Sequence, residues 1–174
     1  MVHKFERIWN DFSEILEIST IKDCSFAGSS QTYLIDSSKQ AIDFNKVSEA
    51  LVREKLNIKL KPKTLDCIYL DAGLLVLVEF TNSLNKQLDD IKLKIHDSLL
   101  LLNFLYNFDE NDLRSIEIIL VRKGNAAVAS NQRSNNHLKN LADSSCPPSL
   151  KFLQKAYRIK ISSMCQDEYL KRIR

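Results

Sequence analysis

Glycine and proline are both scarce, three of each in 174 residues, and the lack of glycine removes whole classes of function. A dinucleotide fold needs a G-x-G-x-x-G turn and a phosphate loop needs a glycine-rich cradle. Gly28, Gly73 and Gly124 stand far apart and form neither. Histidine is as rare. His3, His96 and His137 are isolated from Cys24, Cys67, Cys146 and Cys165, and there is no C-x-x-C, so neither a structural zinc site nor a Cys–His nucleophile has its spacing. Reduced thiols are expected, with Cys67 in the core. No G-x-S-x-G elbow occurs. No apolar run approaches the roughly 18 residues of a membrane span, and the densest stretch, Leu99 to Leu102, is short. Lys4, Glu6 and Arg7 come early with no apolar segment before them, from which a cytoplasmic chain is expected. Charge of one sign is also lacking: 25 basic against 22 acidic residues leave +3.

What is there suits one α/β domain of ordinary size. Phe5, Ile8, Trp9, Phe12, Ile15 and Leu16 recur at helical spacing and predict an amphipathic helix over His3 to Ile18. Two β-leaning pieces follow, Thr20 to Phe26 and Gln31 to Ile35, and residues 1–43 read as an N-terminal extension. Phe44 to Leu56 reads as a helix capped by Asp43. In Asn57 to Lys63 strict alternation sets Ile58 and Leu60 against Lys59, Lys61 and Lys63, the pattern of a half-buried edge strand that Pro62 ends. Apolar runs Cys67 to Leu70 and Leu74 to Val78 flank Asp71-Ala72-Gly73, a hairpin whose turn offers glycine for a positive φ. A long helix is expected from Leu84 to Phe108, exposed near its start and enclosed near its end, then an acidic loop at 109–112 and an apolar strand over Ser115 to Val121. A loop to Asn136, a helix near His137 to Ala142, a short helix near Leu150 to Leu153, a strand near Tyr157 to Ile161 and a charged last helix complete the chain. The core order over 44–121 is helix, strand, strand, strand, helix, strand, completed by residues 122–174.

The hairpin carries the most telling residues. If its strands pair, Asp66 and Glu79 come to the same end of the sheet, and two neighbouring carboxylates repel unless a cation lies between them. Hard oxygen ligands of that kind suit Mg²⁺ or Mn²⁺.

An acid opening the second strand and a glutamate ending the third resemble the PD-(D/E)XK nuclease superfamily, the restriction-endonuclease-like fold of many restriction enzymes and archaeal junction resolvases. The resemblance covers residues 44–121. It implies a metal-dependent DNA hydrolase in which Asp66 and Glu79 hold the divalent ion with the carbonyl of Phe80. A glutamate of the first helix is a further ligand in such proteins, for which Glu49 is preferred over Glu54. The chain departs from the pattern at the third position, where the family lysine is replaced by Thr81. That lysine orients or deprotonates water and neutralises developing charge. Lys86, Lys92 and Lys94 on the following helix are the candidates to replace it, and Gln87 resembles the extra glutamine of several branches.

Substrate affinity is expected from two basic segments. Arg53 to Lys63 carries five basic residues against one acid, and Lys151 to Arg174 seven against two, enough to follow a DNA phosphate backbone. Within the first, Lys59, Lys61 and Lys63 are the candidate nucleic-acid contacts. A silent binding module that keeps the fold without catalysis is the alternative. A third reading is an assembly protein whose helix with Phe5, Trp9 and Phe12 docks on a partner subunit or on a second copy.

Overall fold

A computed structural model describes residues 2–27, 32–55, 57, 62–81, 87–123 and 146–174. In chain order the first elements are α1 (Val2–Ile15), β1 (Ser19–Thr20), α2 (Ile21–Cys24), β2 (Phe26–Ala27), β3 (Thr32–Tyr33), β4 (Gln40–Asp43) and α3 (Phe44–Lys55). There follow β5 (Cys67–Asp71), β6 (Leu74–Thr81), α4 (Leu88–Tyr106), α5 (Glu110–Arg114) and β7 (Ile116–Arg122). A 3₁₀ turn at Pro148–Leu150 leads into α6 (Lys151–Tyr157), β8 (Lys160–Cys165) and α7 (Gln166–Ile173). The expected element at His137 to Ala142 lies outside the described residues.

Six strands form one mixed sheet in the order β1-β4-β5-β6-β7-β8. The pairs from β1 to β6 are antiparallel, whereas β6–β7 and β7–β8 are parallel. Leu75, Val76, Leu77 and Val78 are all fully buried, because β6 is central and covered on both faces. Alternation along the strands divides the core in two. Leu75, Leu77, Ile116, Ile118, Leu120 and Ile161 meet α1, α3 and α4 on one face, while Val76, Val78, Ile119, Val121 and Met164 meet α2 and α7 on the other.

The β5–β6 connection is a two-residue turn with Ala72 at φ 48° and Gly73 at φ 81°, pairing Asp71 with Leu74. Positive φ at both positions matches the right-handed strand twist of a tight hairpin. The helix after β6 ends two residues before the expected Phe108, and its expected start at Leu84 lies outside the described residues. It opens at Gln87 and closes at Asn107 in the left-handed region. Ile91, Ile95, Leu99 and Leu102 form its buried stripe, but Leu93, Leu100 and Phe104 are exposed, so its second half is not enclosed as expected. A helix lying on a sheet buries one stripe, however apolar the rest is.

Two further corrections concern boundaries. The strand paired with the outer edge of β5 is β4, which precedes α3. Asn57 has φ 51°, and Asn57, Pro62 and Lys63 are in no strand; the rest of the expected strand at 57–63 lies outside the described residues. The acidic interval is not a loop either. Asp109 caps α5 in a reciprocal box with Asp112, and Lys4 of α1 binds the buried Asp112 carboxylate.

The apolar face of α1 is taken up by the chain's own core. Phe12 stacks on Phe44 with centroids 5.9 Å apart, and Phe5 meets Phe108 edge-on at 6.1 Å. Phe5 and Phe12 are fully buried, whereas Trp9 is half-buried. Among the described residues no helix is long and apolar enough to cross a membrane.

Candidate functional site

Asp66 stands one residue before β5 and is held from both sides by the backbone. Its N–H donates to the Val78 carbonyl at 2.9 Å and its carbonyl accepts from the Phe44 N–H at 3.0 Å. The strand entry is clamped as well: the Leu65 N–H donates to Ser98 Oγ of α4 at 2.9 Å. The sheet therefore fixes where the Asp66 carboxylate begins. Its Oδ2 accepts from the Phe80 N–H at 2.8 Å, and its Oδ1 accepts from Asn45 Nδ2 at 3.1 Å. Asn45 is itself oriented, since Thr64 Oγ1 donates to its Oδ1 at 3.1 Å and Ser48 Oγ lies 3.0 Å from the same Thr64 hydroxyl.

Glu79 comes from β6, on the face that carries Leu75 and Leu77, and is almost completely buried. The two acids are brought together as expected, and a cation does lie between them. Lys94 Nζ, reaching back from α4, donates to Glu79 Oε1 at 2.7 Å and to Asp66 Oδ1 at 3.4 Å. Of the two helix lysines among the described residues, Lys92 and Lys94, it is Lys94 that the fold delivers to the pair. Lys92 instead binds Asp89 of its own helix at 2.9 Å, and Lys86 lies outside the described residues.

One ammonium against two carboxylates leaves the cluster short of positive charge. Glu79 Oε2 is buried and accepts no hydrogen bond among the described residues. Burial, then the neighbouring Asp66 charge, push the Glu79 carboxyl up to about 8. Burial also raises Asp66, against the opposing pull of Lys94 and the Phe80 N–H. For Lys94 burial acts downward, but Asp66 and Glu79 outweigh it and the ammonium is held more firmly than usual.

The remaining candidates occupy the periphery. Thr81 is buried and its hydroxyl donates to Gln87 Oε1, so the position without a cation holds the glutamine at the head of α4. Glu49 is exposed on α3, one turn beyond Asn45. Among the described residues no group of three or more Asp, Glu, His or Cys side chains is arranged to hold a metal. A third ligand at the pair would come from the backbone. In an extended strand the N–H and C=O of one residue face the same side. The Phe80 N–H faces Asp66, whereas the next carbonyl, that of Thr81, accepts from Lys123 on the β7 side. The Phe80 carbonyl thus lies on the β5 side of β6, the side on which Asp66 stands. Lys63 lies at the rim and pairs with Asp90 at 2.7 Å; Lys59 and Lys61 lie outside the described residues.

Sequence reasoning missed Asn45, Ser48, Thr64 and Ser98, the residues that orient Asp66. A polar residue in the first turn of a helix reads as a solvated one, and only the strand crossing beneath α3 gives Asn45 its partner. Comparison with known proteins finds no matching family model, no matching curated protein and no matching solved structure.

Proposed function

We propose that this chain is a metal-dependent nuclease of the PD-(D/E)XK kind that hydrolyses phosphodiester bonds in DNA, with Lys94 in place of the motif lysine. The observation that carries the reading is the Lys94 ammonium set between Asp66 and Glu79. A restriction-endonuclease-like core suits the topology: β4, β5 and β6 are antiparallel neighbours, β7 adds to β6 in parallel after the α4 crossover, and the two acids stand at the entry of β5 and toward the end of β6.

The residues fit a divalent cation. Asp66, Glu79 and the Phe80 carbonyl are hard oxygen donors suited to Mg²⁺ or Mn²⁺, and Glu79 Oε2 is a buried acceptor with no partner among the described residues. When bound, the ion supplies charge neutralisation at the phosphate and acidifies water for attack. Asn45 and the Phe80 N–H keep Asp66 in one rotamer, so little reorganisation is needed on binding. Because its acid neighbours hold the Lys94 proton, Lys94 acts as a fixed positive charge that orients water and stabilises developing negative charge, and not as a general base.

Calorimetric titration of Mn²⁺ with plasmid cleavage in the same samples tests the reading. Asp66→Asn and Glu79→Gln should each abolish binding and cutting. Lys94→Met should retain Mn²⁺ while cutting about 10²–10⁴-fold more slowly. Cutting by Lys94→Met at the wild-type rate would remove Lys94 from the mechanism. A second reading, a silent module binding nucleic acid or a protein, draws on the same bridge: Lys94 already answers the carboxylates as a structural cation. Absence of Mn²⁺ binding in the wild type selects it.

A further inference from the structure

All four cysteines are free, and two of them meet. Cys67 opens β5 on the second face of the sheet, where the register sets it between Asp43 of β4 and Val78 of β6. Cys24 closes α2, which packs on β4 and covers that same face. The two thiols are hydrogen-bond neighbours, sulfur beside sulfur. Their exposure differs, since Cys67 is fully buried whereas Cys24 is half-buried and within reach of solvent. The other two thiols stand elsewhere. Cys146 packs against the first face, and Cys165 is the N-cap of α7 at the end of β8, three strands from β5. The element that brings Cys24 to Cys67 is lightly held. α2 has four residues, too few to persist by itself, with Ile21 as its buried side chain. The Ile21 and Lys22 N–H groups at its start donate to the Lys39 and Ser37 carbonyls at 2.9 and 3.2 Å. A bond at its far end would pin α2 to the strand residue that follows Asp66.

We propose that Cys24 and Cys67 are a redox-active pair, which hydrogen peroxide closes into a disulfide that latches α2 to β5 and which a dithiol reductant reopens. The inference stands apart from the nuclease reading and needs none of its residues. Cys24 is the partner that solvent reaches, so it meets the peroxide. Its sulfur attacks one peroxide oxygen and the O–O bond breaks; the departing hydroxide takes the thiol proton as water, and a sulfenic acid remains on Cys24. The Cys67 sulfur then attacks the Cys24 sulfur. The S–S bond forms, the S–O bond breaks, and the hydroxide that leaves takes the Cys67 proton as a second water. Two thiols have lost two electrons and one peroxide has gained them. Position makes the pair selective, because the sheet separates both Cys146 and Cys165 from Cys24. The closed bridge spans a loop of roughly 40 residues, so it removes chain entropy from the unfolded state and stabilises the folded one.

The test takes the full reduced chain, exposes it to hydrogen peroxide, stops the reaction with catalase and counts thiols in guanidinium. The count should fall from four to two, and the intact mass should drop by two hydrogens. A non-reducing digest should yield Cys24 and Cys67 in one linked fragment. The melting midpoint should rise by about 5–10 °C and return to its starting value with dithiothreitol. Cys24→Ser and Cys67→Ala should each lose both the link and the rise, whereas Cys146→Ser and Cys165→Ser should keep both. If Cys67→Ala does not fold, Cys24→Ser decides, since it exchanges a half-buried thiol for a hydroxyl of similar shape. Oxidation of Cys24 to a sulfinic acid with no link overturns the pair, as does a link that runs through Cys146 or Cys165. A Cys24–Cys67 bridge that leaves the midpoint unchanged overturns the latch. These readouts use neither metal nor DNA, so their failure leaves the nuclease reading where it stands.

Discussion

Glu79 is the residue on which the site's behaviour with pH turns. Its carboxyl titrates near 8 in the folded chain against 4.5 ordinarily, because burial and the Asp66 charge disfavour the anion. Between those values the folded state holds a proton that the unfolded state has lost. Stability without metal therefore declines as pH rises through that window. Urea midpoints taken from pH 5 to pH 8.5 should fall for the wild type and stay level for Glu79→Gln; a wild-type midpoint that rises across the range would sink this account. Asn45 is the complementary case, a neutral residue that acts through Asp66. Removing its amide in Asn45→Ala should weaken Mn²⁺ binding by about 10–100-fold in calorimetry while leaving the fold intact. At this scale the two acids were legible, since a carboxylate at each end of an apolar hairpin needs a reason to be there. Lys94 was legible as one of three, its place at the border of the α4 stripe being a matter of helical geometry. Asn45 and Thr64 were not, because hydrogen bonds between residues 19 apart leave no local pattern.

The elements differ in how much of their placement is local. In β5 and β6 the composition, the turn and the pairing agree, and the hairpin is read off the chain directly. Its one local conflict is Ala72 at φ 48°, where a Cβ costs about 1 kcal/mol and asparagine or glycine sits at ease. Ala72→Gly should raise stability by about 0.5–1 kcal/mol, seen as an increase of about 1–4 °C in the melting midpoint. A fall would mean that Ala72 packs against something its backbone does not reveal. β4 is the opposite case. Four residues, Gln40–Asp43, are too few to show a period, and their strand state comes from pairing with β5 across the whole of α3. The end of α4 misled for a third reason: Leu93, Leu100 and Phe104 are as apolar as the buried stripe, and composition does not say which side meets the sheet.

At the scale of the molecule, α/β architecture follows from alternation of strands with long helices, and the apolar cover of the sheet's second face is joined by a buried charged contact from the last helix. The last helix, α7, has eight residues, too few to persist alone, and covers that face with Tyr169 and Ile173. It is tied to the sheet by Arg172, whose Nη1 and Nη2 donate to the two oxygens of Glu117 at 2.8 and 2.6 Å. Glu117 is 1% exposed, and Lys160 Nζ stands 3.1 Å from it on β8. Burial alone would raise the Glu117 carboxyl, but Arg172 and Lys160 outweigh it and hold it below the usual range. Removing the fork leaves a buried carboxylate with Lys160 as its remaining cation, so Arg172→Met should cost about 2–3 kcal/mol at neutral pH. The penalty should shrink as pH falls and Glu117 takes up a proton. The double variant Glu117→Gln/Arg172→Met should recover a good part of the loss, because no uncompensated charge then remains inside. Urea unfolding of the four proteins measures this directly. If the double variant is no more stable than Arg172→Met, the cost belongs to lost packing of the arginine stem against the sheet, and α7 is held by its apolar face alone.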